Sequence, residues 1–126
     1  MYINESYKFI YMARRFDSIL TKEDFEKILR VDKVTILKAS ATWCRPCKAV
    51  AAYVEELFDK TSANVQLVYL DVDEGLELFN YLKLRKVPTF ISFVGKEKMD
   101  IYETADRGKI EQFFQKVKLR AKVLGN

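Results

Sequence analysis

Histidine is absent from the 126 residues of this chain. That single absence removes Ser–His and Cys–His nucleophilic mechanisms, His-ligated zinc and imidazole acid–base chemistry together. Cysteine is scarce too. Only Cys44 and Cys47 occur, too few to complete a zinc site from cysteine alone, so no metal is expected. The two prolines and four glycines are scattered, with no flexible linker, low-complexity tract or internal repeat to divide the chain. No apolar run approaches the roughly 20 residues that cross a bilayer, so no membrane association is expected. Core-forming material, by contrast, is plentiful. The chain is 49% hydrophobic and carries nine Phe, seven Tyr and one Trp, enough to bury the core of a single domain.

A net charge of +4 is mildly basic. Part of the excess lies in Lys116, Lys118, Arg120 and Lys122, a run that reads as the solvated face of a terminal helix, so no nucleic-acid partner is expected. The stretch 7–13 does not look like a secretory signal: it is short, contains Lys8 and runs into Arg14-Arg15. A cytoplasmic, reducing compartment is therefore expected, in which neighbouring cysteines are more often catalytic than structural.

Residues 1–15 read as an N-terminal extension and 16–126 as one domain. In the extension Ile3, Tyr7, Ile10 and Tyr11 keep helical spacing, yet Tyr and Ile also favour strands. The domain shows strand patterns over 16–20, 34–40, 65–72, 89–94 and 99–103. Helical patterns lie over 22–30, 44–60 and 74–82, and a last helix opens at Asp106. Thr21 is placed to cap the first helix, with Asp24 three residues on. Segments 34–40 and 65–72 are apolar on both faces, as strands inside a covered sheet are. Val50, Val54, Leu57 and Phe58 form one buried stripe, and Ile110, Phe113, Phe114, Val117, Ala121 and Leu124 form another. A turn at Gly95-Lys96 makes the last two strands a hairpin. The order β-α-β-α-β-α-β-β-α predicts an α/β fold: a central mixed sheet of four to five strands with helices on both faces.

Trp43-Cys44-Arg45-Pro46-Cys47-Lys48 falls where a strand ends and a helix begins. The first helical turn has unpaired N–H groups and the positive end of the macrodipole, and both favour an anion. A thiolate at Cys44 is thus stabilised, with a pKa expected below the free value of about 8.5. Two intervening residues let Cys47 reach Cys44 within one turn and close a small, reducible disulfide. Pro46 lies inside that turn, where a missing N–H costs nothing.

At this point the chain resembles the thioredoxin family. The residues 43–48 match its active-site signature at every position but one, and Val87-Pro88-Thr89 is similar to its proline loop, in which the X–Pro bond is cis. Asp71-Val72-Asp73 resembles the strand end before its third helix. The resemblance spans about 16–124 and implies a thioredoxin fold. It implies that Cys44 is the exposed attacking nucleophile and Cys47 the buried resolving thiol, joined as the redox disulfide Cys44–Cys47 of a redox-active centre. Trp43, Arg45, Pro46, Val87, Pro88 and Thr89 would form the substrate site, with the Val87 backbone pairing to an extended peptide. Protein disulfides would be the substrates and an NADPH-dependent thioredoxin reductase the partner that regenerates the dithiol. No cofactor is implied for this chain, and its role would lie in electron transport and cell redox homeostasis.

Four departures from the family stand out. Arg45 replaces the usual glycine and adds a charge that favours the Cys44 thiolate. Ala52 stands where a proline usually kinks the active-site helix, which predicts a straighter helix. Thr104 takes the approximate place of a groove-lining glycine and is expected to narrow access. Lys38 replaces a buried aspartate, and its expected lysine partner is Tyr69. Lys38 is therefore a candidate modulator of the cysteine pKa values: as a cation it favours thiolate and a weaker reductant, and as a neutral amine it can take the Cys47 proton. The expected function is thiol–disulfide oxidoreduction of protein disulfides through Cys44 and Cys47. The alternatives are a less reducing thiol oxidase or disulfide isomerase, and a protein-interaction module built on the same fold.

Overall fold

A computed structural model describes residues 14–17 and 19–125. The helical spacing of Ile3, Tyr7, Ile10 and Tyr11 lies outside those residues. Among them the order is β1 (Arg15–Phe16), α1 (Lys22–Ile28), β2 (Val34–Ser40), α2 (Arg45–Asp59), β3 (Val65–Asp71), α3 (Leu76–Tyr81), β4 (Thr89–Val94), β5 (Glu97–Glu103) and α4 (Arg107–Gly125). The strands form one five-stranded sheet in the order β1-β3-β2-β4-β5. β1, β3 and β2 run parallel, whereas β4 and β5 are antiparallel to their neighbours. This is the expected mixed sheet.

β2 lies in its middle, and Val34 to Ala39 are buried without interruption. Both of its faces are covered, so alternation between apolar and polar residues gives way to a nearly continuous apolar run. On one face Val34, Ile36, Val65, Leu67 and Phe90 pack against Val50, Val54 and Phe58 of α2 and Ile110, Phe113, Phe114 and Val117 of α4. On the other, Leu37, Ala39, Val68, Leu70, Ile91 and Phe93 meet Phe25 of α1 and Leu78 and Phe79 of α3. Fully burying an aliphatic or Phe side chain contributes about 1.5–3 kcal/mol, so these two layers hold the sheet between its helices. Phe113 is the junction of the larger layer, with ring centroids 5.8 Å from Phe90, 5.4 Å from Tyr102 and 5.7 Å from Phe114.

The element limits follow local chemistry. The Thr21 hydroxyl accepts the Asp24 N–H at 3.1 Å and starts α1, and the helix stops at Ile28 because Leu29 turns extended. Gly75 is the N-cap of α3, so the helix opens at Leu76, two residues after the expected 74. β5 begins at Glu97, two residues before the expected Met99, because Gly95 takes φ +57° in a tight turn that pairs Val94 with Glu97. Asp106 caps α4 as expected, accepting the Lys109 N–H at 2.9 Å.

The first strand is a correction. Instead of 16–20 it covers Arg15 and Phe16, so the boundary expected between residues 15 and 16 falls inside an element of the sheet. Two arginines explain this. The Arg14 carbonyl accepts the Leu67 N–H at 2.6 Å, and its guanidinium donates to the Val65 carbonyl at 3.0 Å and to Thr61 Oγ1 at 2.7 Å. Arg15 reaches Glu55 at 3.0 Å and Asp59 at 2.6 Å on α2. Both guanidinium carbons lie over the Phe58 ring, 4.6 and 4.7 Å from its centroid, where a cation is attracted by the negative face of the ring.

Candidate active site

β2 ends at Ser40 in the middle of the sheet, and the chain turns at once into α2. The Cys44 N–H closes the turn by donating to the Ala41 carbonyl at 3.1 Å. Cys44 is the N-cap of α2, with extended backbone, and its Sγ accepts the Cys47 N–H at 3.2 Å. The sulfur thereby occupies the place that an oxygen holds at most helix starts, facing orphan N–H groups. Pro46 lies in the first turn, which carries no acidic residue. Cys44 and Cys47 are joined as a disulfide, with Cα atoms 5.3 Å apart.

The implied contrast between an exposed Cys44 and a buried Cys47 does not hold in this oxidised form. Cys44 is 4% exposed and Cys47 2%. Ala41, Val72 and Val87 close around the pair.

The loop before β4 forms the facing wall. The Val87-Pro88 bond is cis, and the Val87 carbonyl oxygen lies 3.9 Å from Cys44 Sγ. Pro88 is buried. Thr89 is fully buried, and its hydroxyl donates to the Lys86 carbonyl at 2.6 Å. It therefore ties the loop together from inside the sheet and offers no open face to a substrate. Arg45 and Pro46 are exposed at the head of α2. Trp43 is 66% exposed, and its indole N–H donates to Asp73 Oδ2 at 2.8 Å.

Asp73 is the residue that sequence reasoning missed. It was legible only as part of a strand end, although one signal existed. β2 and β3 are parallel neighbours, so the residues that follow them emerge at the same edge. Asp71 supports the arrangement by accepting the N–H groups of Asp73 and Glu74 at 2.9 and 3.1 Å.

The remaining departures fall as follows. Ala52 is exposed, and α2 runs through it without a break. Thr104 is half-buried, and its hydroxyl oxygen accepts the Asp106 N–H at 2.9 Å, so its side chain serves the start of α4. Lys38 is 5% exposed, paired in register with Tyr69 on one side and Phe90 on the other. Its Nζ lies 5.3 Å from the centroid of the Tyr69 ring. Burial pushes the Lys38 pKa below the usual lysine range, and the Glu55 carboxylate opposes that shift. Among the described residues no hydrogen bond or ion pair holds its side chain.

A helix whose N-cap is a cysteine sulfur, bonded to a second cysteine one turn on and faced by a cis-proline loop, defines a dithiol–disulfide oxidoreductase domain. Residues 17–116 match the family model for thioredoxin. The chain is 31% identical over 102 residues to thioredoxin-1 of Drosophila melanogaster, covering 79% of this chain and 95% of that protein. It is 33% identical over 95 residues to thioredoxin of Mus musculus, covering 74% and 90%. The crystal structure of Malassezia sympodialis thioredoxin superposes with a TM-score of 0.74 at 28% identity, over 82% of this chain and 90% of that one. The chain belongs to the thioredoxin family. Its chemistry is dithiol–disulfide exchange through a CxxC pair.

Among the described residues no helix is long and apolar enough to cross a membrane.

Proposed function

We propose that this chain reduces protein disulfides in the cytoplasm, with Cys44 as the attacking thiolate and Cys47 as the resolving thiol. The observation that carries the assignment is the position of Cys44 Sγ at the N-cap of α2, accepting the Cys47 N–H. A negative sulfur there is stabilised by the helix terminus, and the Cys47 thiol one turn inward is not.

In the first step the Cys44 thiolate bonds to one sulfur of the substrate disulfide and expels the other as a thiolate. In the second, the Cys47 thiolate bonds to Cys44 Sγ and expels the remaining substrate sulfur. Two electrons pass from the dithiol to the substrate, which leaves as two thiols after proton uptake. Reduction of the new Cys44–Cys47 disulfide by an NADPH-dependent thioredoxin reductase completes the cycle. Trp43, Arg45, Pro46 and Pro88 surround the reacting sulfur, and the Val87 backbone pairs with an extended segment of substrate.

Lys38 modulates the pair from beneath α2. A buried cation favours thiolate over thiol and hence the dithiol over the disulfide, which makes the protein a milder reductant. Redox titration of the wild type against Lys38→Asp checks this. An unchanged potential removes Lys38 from the mechanism.

The main assignment is tested by alkylation and trapping. Cys44 is expected to alkylate near neutral pH well faster than free cysteine. Cys44→Ser is expected to abolish insulin reduction, and Cys47→Ser to accumulate a mixed disulfide with substrate. A Cys44 no more reactive than free cysteine overturns the reading.

A further inference from the structure

An exposed cation stands next in sequence to each of the two cysteines and to Val87, whose carbonyl faces Cys44 Sγ. Arg45 follows Cys44, Lys48 follows Cys47 and Lys86 precedes Val87, and all three side chains are exposed. The Val87 carbonyl is 3.9 Å from Cys44 Sγ, so the two chain segments that carry these cations meet at the disulfide. Among the described residues none of the three takes part in a close ion pair, although Lys86 lies within reach of the Glu103 charge. The first turn of α2 contains no acidic residue to offset Arg45, and the positive end of that helix adds to the same field.

Other charged groups near the site make contacts of their own. Arg85 is held by Glu103 at 2.8 Å, Arg107 lies over the Tyr53 ring at 4.2 Å and Asp73 accepts the Trp43 indole N–H. The exposed Glu74 lies next to Asp73, on the side of the site marked by Trp43. The sequence neighbours of the two cysteines and of Val87 are thus cationic, whereas the carboxylates of Asp71, Asp73 and Glu74 gather beside Val72 and Trp43.

We propose that Arg45, Lys48 and Lys86 select partners whose disulfide is flanked by carboxylates. This rests on the reading of the chain as a disulfide reductase and names the chemistry of the segment it takes. Exposed charges act here by steering encounter and by fixing the register of a docked strand, so the preference weakens as salt is added. A single exposed pair contributes little, but three like charges around one reacting atom give a preference of about tenfold.

The test uses three synthetic peptides with the same disulfide, flanked by Glu, Gln or Lys. Dithiothreitol recycles the protein by reducing its Cys44–Cys47 disulfide, so no reductase is needed, and uncatalysed reduction is subtracted. At low salt kcat/KM is expected to fall in the order Glu, Gln, Lys, with about tenfold between the first two. The ratio is expected to shrink toward unity near about 0.5 M salt. The double variant Lys48→Gln/Lys86→Gln is expected to compress the Glu-to-Gln ratio to about threefold or less. Equal kcat/KM for the three peptides, or a ratio untouched by salt or by the double variant, overturns the proposal and leaves the reductase reading standing. Reduction of none of them overturns both.

Discussion

The indole N–H of Trp43 and the carboxylate of Asp73 meet at 2.8 Å across a sequence separation of 30 residues. The bond ties the turn after β2 to the turn after β3. Ser40 and Asp71 end those strands in register, so parallel pairing delivers both turns to one edge of the sheet. A large aromatic ring can then remain 66% exposed beside the disulfide and still be held in one orientation.

Removing that carboxylate frees the ring. Asp73→Ala is expected to lower kcat/KM for protein disulfides about three- to tenfold, the equivalent of one hydrogen bond's net contribution. KM should move more than kcat. Trp43 is the sole tryptophan, so a fall in fluorescence anisotropy reports the loss of orientation directly.

Lys38 makes stability depend on pH in a definite direction. Burial lowers its pKa in the folded chain, so between that lowered value and the ordinary lysine range the unfolded chain binds a proton that the folded chain does not. Stability contributed by this site therefore rises as pH increases through that window, and the penalty is complete below it. Lys38→Met removes the penalty and is expected to unfold at a higher temperature near pH 7. The gap to wild type should narrow as pH rises toward the lysine range, and thermal melts across alkaline pH would show it. A gap that widens contradicts the assignment.

Thr89→Val deletes the hydroxyl that donates to the Lys86 carbonyl and leaves a part-buried acceptor without that partner. A loss of about 1–2 kcal/mol is expected, read as a lower midpoint in urea with an unchanged slope. Because the same loop carries Val87, disulfide reduction should slow as well.

Phe113→Ala opens a hole where three other rings meet. The expected cost is about 3–5 kcal/mol, measured by denaturant unfolding of the disulfide form. A cost under about 1 kcal/mol would show that the larger core layer closes over the gap.

The parts of this protein that were legible in advance are those whose chemistry is local. The CxxC pair, the proline between its cysteines and the helix that follows lie within a few residues of one another. Capping by Thr21 and by Asp106 involves donors three residues away, and the limits of β2 and β4 agree with the patterns at 34–40 and 89–94. The edge strand was harder. Arg14 and Arg15 carry no strand signal, and what holds their side chains is a phenyl ring, two carboxylates and the oxygens of Thr61 and Val65, 40 or more positions on.

Burial was the other quantity that patterns misjudged. Cys44 has the position of a surface nucleophile, yet Ala41, Val72 and Val87 from separate segments cover it in the oxidised form. Thr89 follows a loop proline and reads as a wall residue, but its hydroxyl is satisfied inside the chain and its surface is closed.

The order of residues alone determined where the chemistry sits: the CxxC pair, the helix end that its first sulfur caps and the elements around it, because each depends on neighbours within a turn or on simple periodicity. Tertiary structure decided which side chains the site presents and which it hides. Trp43 is oriented by Asp73, Lys38 is enclosed against Tyr69 and Arg14 is anchored at Thr61 only once β1, β3 and β2 lie side by side, since contact across a sheet depends on strand order and register rather than on separation along the chain.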